Sequence, residues 1–151
     1  MTKVKLIFGR SNKAVGLLIR FFDISPWSHV GIVHGDYVYE SVGMRYKGRL
    51  GRRKGVICTH IDDFKGRYSA WREKEIDCYN ENWFADLQHM VRVKTEYDMM
   101  ATIGALWLLR LFRVKLGSRH AHNCSEMVNV VTRRFRSDHN ATVADFWYLQ
   151  H

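Results

Sequence analysis

Ser28-His29-Val30-Gly31-Ile32-Val33-His34, then Gly35-Asp36, then Tyr37-Val38-Tyr39-Glu40-Ser41-Val42 is the stretch whose reading decides the fold class. Both flanking runs are rich in β-branched and aromatic residues, which suit a pleated, half-buried surface. Two residues separate the runs and the first is glycine, as a type II′ hairpin turn requires. A two-residue loop pairs His34 with Tyr37, so His29, Gly31 and Val33 share a face with Val38, Glu40 and Val42. In that register His29 lies opposite Val42, while Glu40 lies opposite Gly31 and diagonal to His29. The valines make the rest of the face apolar, so it should point into the core or a cleft. Gly31 has no side chain and is expected to leave open space beside the imidazole, which favours the cleft.

A lone histidine on an apolar face is more often a core residue satisfied by a backbone carbonyl than a functional group. Glu40 changes the balance, because a carboxylate on a buried face is costly unless it is paired. Its competing reading is an edge position from which the side chain escapes to water. Together the two read as a base and the group that orients it, with proton affinities shifted by low-dielectric surroundings.

Outward from the hairpin, Val4 to Phe8 reads as a short strand ended by Gly9. Ser11 is the expected N-cap of a helix from about Lys13 to Phe22, with Val15, Leu18, Ile19 and Phe22 on one face. Tyr46 to Gly55 reads as a basic, glycine-rich loop, Val56 to Ile61 as a strand and Tyr68 to Ile76 as one more. Phe84, Leu87 and Val91 recur at helical spacing within Asn82 to Val93. Further helices are expected from Asp98 to about Val114 and from Cys124 to about Arg136. Thr142 to Leu149 suits a short helix or strand. An antiparallel sheet packed against helices, the α+β class, is the expected outcome.

Asn123-Cys124-Ser125-Glu126 opens the Cys124 helix. Asn123 is a good N-cap, and Glu126 three positions later gives a variant of the capping box. Met127, Val130, Val131 and Phe135 are expected to dock one side of the helix on the core. A thiol at the first helical position feels unpaired backbone N–H groups and the positive end of the helix dipole, both of which favour the thiolate. The same N–H groups could stabilise an oxyanion. A free cysteine is otherwise usually a small buried hydrophobe. Cys58, in an apolar strand, fits that description, and Cys78, in a polar segment, reads as incidental. His120, His122 and Cys124 alternate and offer a rival as zinc ligands. The absence of an obvious fourth ligand and the helix start at Cys124 place that rival below the thiol, so no metal or other cofactor is expected.

The chain has 151 residues, of which 46% are hydrophobic and 13% aromatic, enough for one packed domain over residues 1–151. The net charge of +9, with a pI near 9.7, favours polyanionic surroundings such as anionic lipid, a cell-wall polymer or nucleic acid. No nucleic-acid-binding signature is present, so specific nucleic-acid recognition is not expected. Three cysteines cannot all pair within one chain, which fits a reducing compartment. The N-terminal residues lack the pattern of a secretory signal. Met99 to Leu109 is too short an apolar run to span a bilayer. The expectation is a soluble, cytoplasmic product that would need another export route to work outside. Oligomeric state is open.

Ser28-His29-Val30-Gly31-Ile32-Val33, then Tyr39-Glu40-Ser41, and much later Asn123-Cys124-Ser125-Glu126-Met127-Val128 resemble the circularly permuted NlpC-type papain-like cysteine hydrolases, whose relatives include the lecithin:retinol acyltransferase group. In that family the histidine strand precedes the cysteine helix. The resemblance implies a permuted papain-like fold, Cys124 as nucleophile, His29 as general base and Glu40 as the group orienting the imidazole. It also implies that Tyr97, in Tyr97-Asp98, lies near the substrate, although Asp98 reads equally well as a first-turn acid of a helix. The substrate would be an amide or ester, with peptide crosslinks of bacterial peptidoglycan suggested by the family. The basic stretch Arg45 to Lys54 and the short chain depart from the family pattern and leave the substrate open. Two other functions remain: a lipid acyltransferase or thioesterase, with Leu106 to Lys115 at a membrane surface, and a basic binding module without catalysis on the same scaffold.

Overall fold

The computed structural model describes residues 2–48, 51–95, 123–135 and 141–149. The expected helix over 98–114, the Tyr97-Asp98 pair, the Leu106 to Lys115 stretch and both His120 and His122 lie outside these residues. The elements, in chain order, are β1 (Thr2–Arg10), α1 (Ala14–Asp23), β2 (His29–His34), β3 (Tyr37–Gly48), β4 (Gly51–His60), α2 (Ile61–Lys65), β5 (Ala70–Cys78), α3 (Trp83–Arg92), α4 (Cys124–Thr132) and α5 (Val143–Trp147). The strands form one five-stranded antiparallel sheet in the order β4-β3-β2-β1-β5. The class is therefore α+β.

The hairpin has the register that its turn dictates, with His34 opposite Tyr37, Val33 opposite Val38 and Ile32 opposite Tyr39. Gly35 sits at φ +58, and Asp36 is not among the residues with positive φ, which matches the II′ geometry and not the I′ form. Strand parity then sorts side chains onto two faces. Val4, Leu6 and Phe8 of β1, Val30 and Ile32 of β2 and Tyr39 of β3 join the larger hydrophobic cluster with Met127, Val128 and Val131 of α4, Leu87 of α3 and Phe146 of α5. The alternate positions Ile7, Val33 and Val38 meet Phe64 of α2 in a smaller cluster.

Several expectations are corrected. The described residues of the basic stretch expected as a loop over 46–55 are paired: Tyr46 lies opposite Arg53, Lys47 opposite Arg52 and Gly48 opposite Gly51, beyond a register irregularity between Val42 and Tyr46. Ladder bonds satisfy these backbone groups without any apolar pattern, so hydrophobic periodicity gave no sign of the ribbon. The N-cap of α1 is Lys13, with no side-chain cap bond; Ser11 Oγ accepts from Lys13 N–H just outside the helix, while Ser11 N–H donates to Ser28 Oγ. α4 stops at Thr132, because Arg133 turns left-handed at φ 51 and the Asn129 side chain accepts the Phe135 N–H. Its buried face is Cys124, Met127, Val128 and Val131, leaving Val130 43% exposed. Cys78 ends β5 inside the core, where burial raises its thiol pKa.

Gly31 also differs from expectation. A Cβ there would stand 2.7 Å from Val38 Cγ1 and 2.9 Å from the Tyr39 carbonyl oxygen, so the position allows a close approach and is not open space. The face is packed against Glu40 rather than hollowed beside it. Gly31→Ala is accordingly expected to cost about 2 kcal/mol of unfolding free energy through overpacking. Denaturant unfolding measures it, and an unchanged midpoint would contradict this packing.

Candidate active site

Glu40 is completely buried, on the face of β3 that its parity predicts. A carboxylate in such a place needs compensation on both oxygens. His29 Nε2 lies 2.9 Å from Oε2. Thr59 Oγ1 donates to Oε1 at 2.6 Å, and Arg67 Nη2 donates to the same oxygen. Thr59 is opposite Val38 in β4, which sets it diagonal to Glu40 on the same face. Arg67 comes from the turn after α2, where its Nε donates to the Asp63 carbonyl and its guanidinium lies 5.3 Å and 5.5 Å from the ring centres of Phe64 and Tyr68.

His29 stands where the two clusters meet. Its ring stacks on Tyr68 at 5.7 Å between centroids and tilts against Phe64 at 6.1 Å. With Nε2 engaged by Glu40, Nδ1 is the ring nitrogen left for Cys124, which acts on the imidazole electrostatically. Burial on its own would lower the His29 pKa. The negative charge and hydrogen bond of Cys124, joined by those of Glu40, outweigh burial and raise it from 6.5 to about 9. Burial would push the Glu40 pKa up, but His29 and then Arg67 hold it below its ordinary 4.5. At neutral pH the constellation is imidazolium, carboxylate and guanidinium beside Cys124.

Cys124 is the first residue of α4, which packs against β2 and β3. The capping box is complete: Glu126 N–H donates to Asn123 Oδ1 at 2.8 Å, and Asn123 N–H donates to Glu126 Oε2 at 3.2 Å. Met127 N–H donates to the Asn123 carbonyl. Of the first turn, the Cys124 and Ser125 N–H groups are thus the donors not used within the cap. The far end of α4 is fixed by Asn80, whose Nδ2 donates to the Val131 carbonyl at 2.8 Å and to Asp86 at 2.7 Å, tying β5, α3 and α4 together.

The structure thus brings Cys124, His29 and Glu40 together, while Tyr97 lies outside the described residues. Thr59, Phe64, Arg67 and Tyr68 were not foreseen. The available signal was the buried carboxylate itself, which demands a cation, but many arginines could have supplied it. Cys58 is half-buried beside Tyr39, and Cys78 is enclosed in the core, whereas Cys124 is the cysteine that acts on His29. Among the described residues no group of His, Cys, Asp or Glu is placed to hold a metal ion, and no helix is long and apolar enough to cross a membrane.

The raised His29 pKa contributes stability that is full below pH 6.5 and is lost as pH rises through about 9. The lowered Glu40 pKa contributes stability present above pH 4.5 and lost as pH falls through its folded value. Cys124→Ala removes the largest raising influence on His29 and leaves burial in place, so its pKa should drop well below 9 in an NMR titration. A value that stays near 9 would mean that Cys124 is not the partner. The chain matches no protein-family model, no curated protein and no solved structure.

Proposed function

We propose that this protein is a cysteine hydrolase that cleaves an amide or ester through an acyl-enzyme on Cys124. The observation that supports this most is the His29 imidazole, held between a fully buried carboxylate and the thiol at a capped helix start. The order of histidine strand before cysteine helix, on an antiparallel sheet carrying that helix, supports a circularly permuted papain-like scaffold.

The reaction begins as the Cys124 proton passes to His29, which gives a thiolate beside an imidazolium. The thiolate attacks the substrate carbonyl carbon, and the charge moves to the oxygen, which the Cys124 and Ser125 N–H groups, unused within the helix cap, are suited to receive. The imidazolium gives its proton to the leaving amine or alcohol as the carbonyl re-forms, leaving a thioester and neutral His29. His29 then takes a proton from water, the resulting hydroxide attacks the thioester, and expulsion of the thiolate releases the acid and restores the ion pair. Glu40 fixes the ring and stabilises its charged form throughout. Peptide crosslinks of an anionic cell wall are the proposed substrate class, in keeping with the net charge of +9.

Labelling by iodoacetamide near neutral pH, mapped by mass spectrometry, should modify Cys124 ahead of Cys58 and Cys78. Equal labelling of parent and Cys124→Ala would sink the proposal. On a panel of amide and ester substrates, Cys124→Ala should be inactive and His29→Ala slower by roughly 10³-fold. Activity should fall as pH rises through about 9, where the imidazolium loses the proton that the leaving group needs.

A further inference from the structure

The exposed side of α1 is not accounted for by catalysis. Leu17 is 47% exposed, Leu18 51%, Phe21 77% and Ile24 75%, and they follow one another along a single short helix and its C-cap. Isolated exposed apolar residues are ordinary, but a contiguous set of large ones marks a contact surface. Ile24 adds a second observation. It is β-branched yet sits in the left-handed region at φ 50, a conformation that costs strain and here projects the side chain into solvent rather than into the core. The turn there closes the helix, with the Ile24 and Ser25 N–H groups both donating to the Arg20 carbonyl, while the apolar side chain itself gains no burial.

Cations surround the same surface. Arg10 and Arg20, with Ala14, Leu17, Leu18, Phe21, Ser25 and Pro26, line a groove of about 820 Å³. Arg20 Nη1 is buried there with no hydrogen-bond partner among the described residues, a costly state for a charged donor. Lys13 is exposed at the N-cap. None of the three cations is ion-paired among the described residues. Tyr148, 60% exposed, hydrogen-bonds to the Ile24 carbonyl and adds an amphipathic ring to the rim.

We infer that α1 is a docking surface for an anionic phospholipid bilayer. Leu17, Leu18, Phe21 and Ile24 enter the boundary between head groups and acyl chains, and Arg10, Lys13 and Arg20 meet lipid phosphates, with Arg20 Nη1 gaining an acceptor that no described residue supplies. An acidic protein surface would match the cations but has no need of four large apolar side chains. A second copy of this chain would match the apolar side chains but would set like charges against one another. The bilayer satisfies both. The surface stands apart from the proposed thiol chemistry, so either can fail without the other.

Co-sedimentation with vesicles tests this. The parent protein should bind mixed phosphatidylcholine–phosphatidylglycerol vesicles and bind pure phosphatidylcholine vesicles far less. Leu17→Glu combined with Phe21→Glu should reduce binding by about tenfold or more. Arg20→Gln should reduce binding to the mixed vesicles by about fivefold. Ile24→Gly relieves the backbone strain, so it should raise the unfolding temperature and yet weaken vesicle binding, which a purely structural role would not produce. Cys124→Ala should bind like the parent. No binding by the parent, or equal binding by the double glutamate variant, would overturn the inference. So would a dimer that the glutamates disperse without any vesicle binding, since a second copy would then occupy this face.

Discussion

The carboxylate of Glu40, taken wholly out of water, is the constraint from which the rest of the arrangement follows. A buried charge is tolerated only when opposite charge and hydrogen bonds replace its hydration. Here the replacements come from three separate pieces of chain: His29 at the start of β2, Thr59 in β4, and Arg67 from the turn after α2. Meeting that demand pins α2 and its turn to the sheet, and the pinned Phe64 and Tyr68 rings in turn fix the plane of the imidazole. Removing any one partner would leave a buried charge behind, so the network acts as a unit rather than as a sum of pairs.

The sheet has two working faces, and His29 links them. One face gathers α3, α4 and α5 around a large apolar core, with Trp147 packed edge to face against both Phe8 and Trp27. The other holds the polar network under a small apolar cap. The imidazole belongs to the second face through Glu40 and to the first through Cys124, whose helix is anchored at its far end by Asn80. A thiol at the capped start of a docked helix has little freedom of its own, so placing its partner becomes a matter of strand register. The proposed chemistry draws on that rigidity, since both groups sit on regular elements rather than on mobile loops.

Charge is distributed unevenly in its consequences. Arg67 is spent on the buried network, and Lys74 donates to the Trp147 and Leu149 carbonyls, tethering the end of the chain. Among the described residues Arg10, Lys13 and Arg20 have no such task, and they flank the apolar residues that α1 leaves in solvent. A net charge alone implies only weak attraction to polyanions. Cations adjoining an exposed apolar helix give that attraction a place.

The sequence by itself determined whatever depends on local rules. Gly35-Asp36 and the flanking β-prone runs set the hairpin register, and that register placed Glu40 and His29 on one face before any contact was known. Asn123 and Glu126 specified the capping box and therefore the first residue of α4. Asn82 to Val93 carried its helix in its spacing, and the structure places α3 within one residue at each end. Tertiary structure decided what depends on partners distant in the chain. Which cation compensates Glu40, whether Gly31 opens a cleft or admits a tight approach, and which valine of α4 turns inward are settled by neighbours that no local pattern names. The pairing of 46–48 with 51–53 was hidden for a related reason: its order comes from cross-strand backbone bonds, and the hydrophobic pattern that sequence reading relies on is not needed to form them.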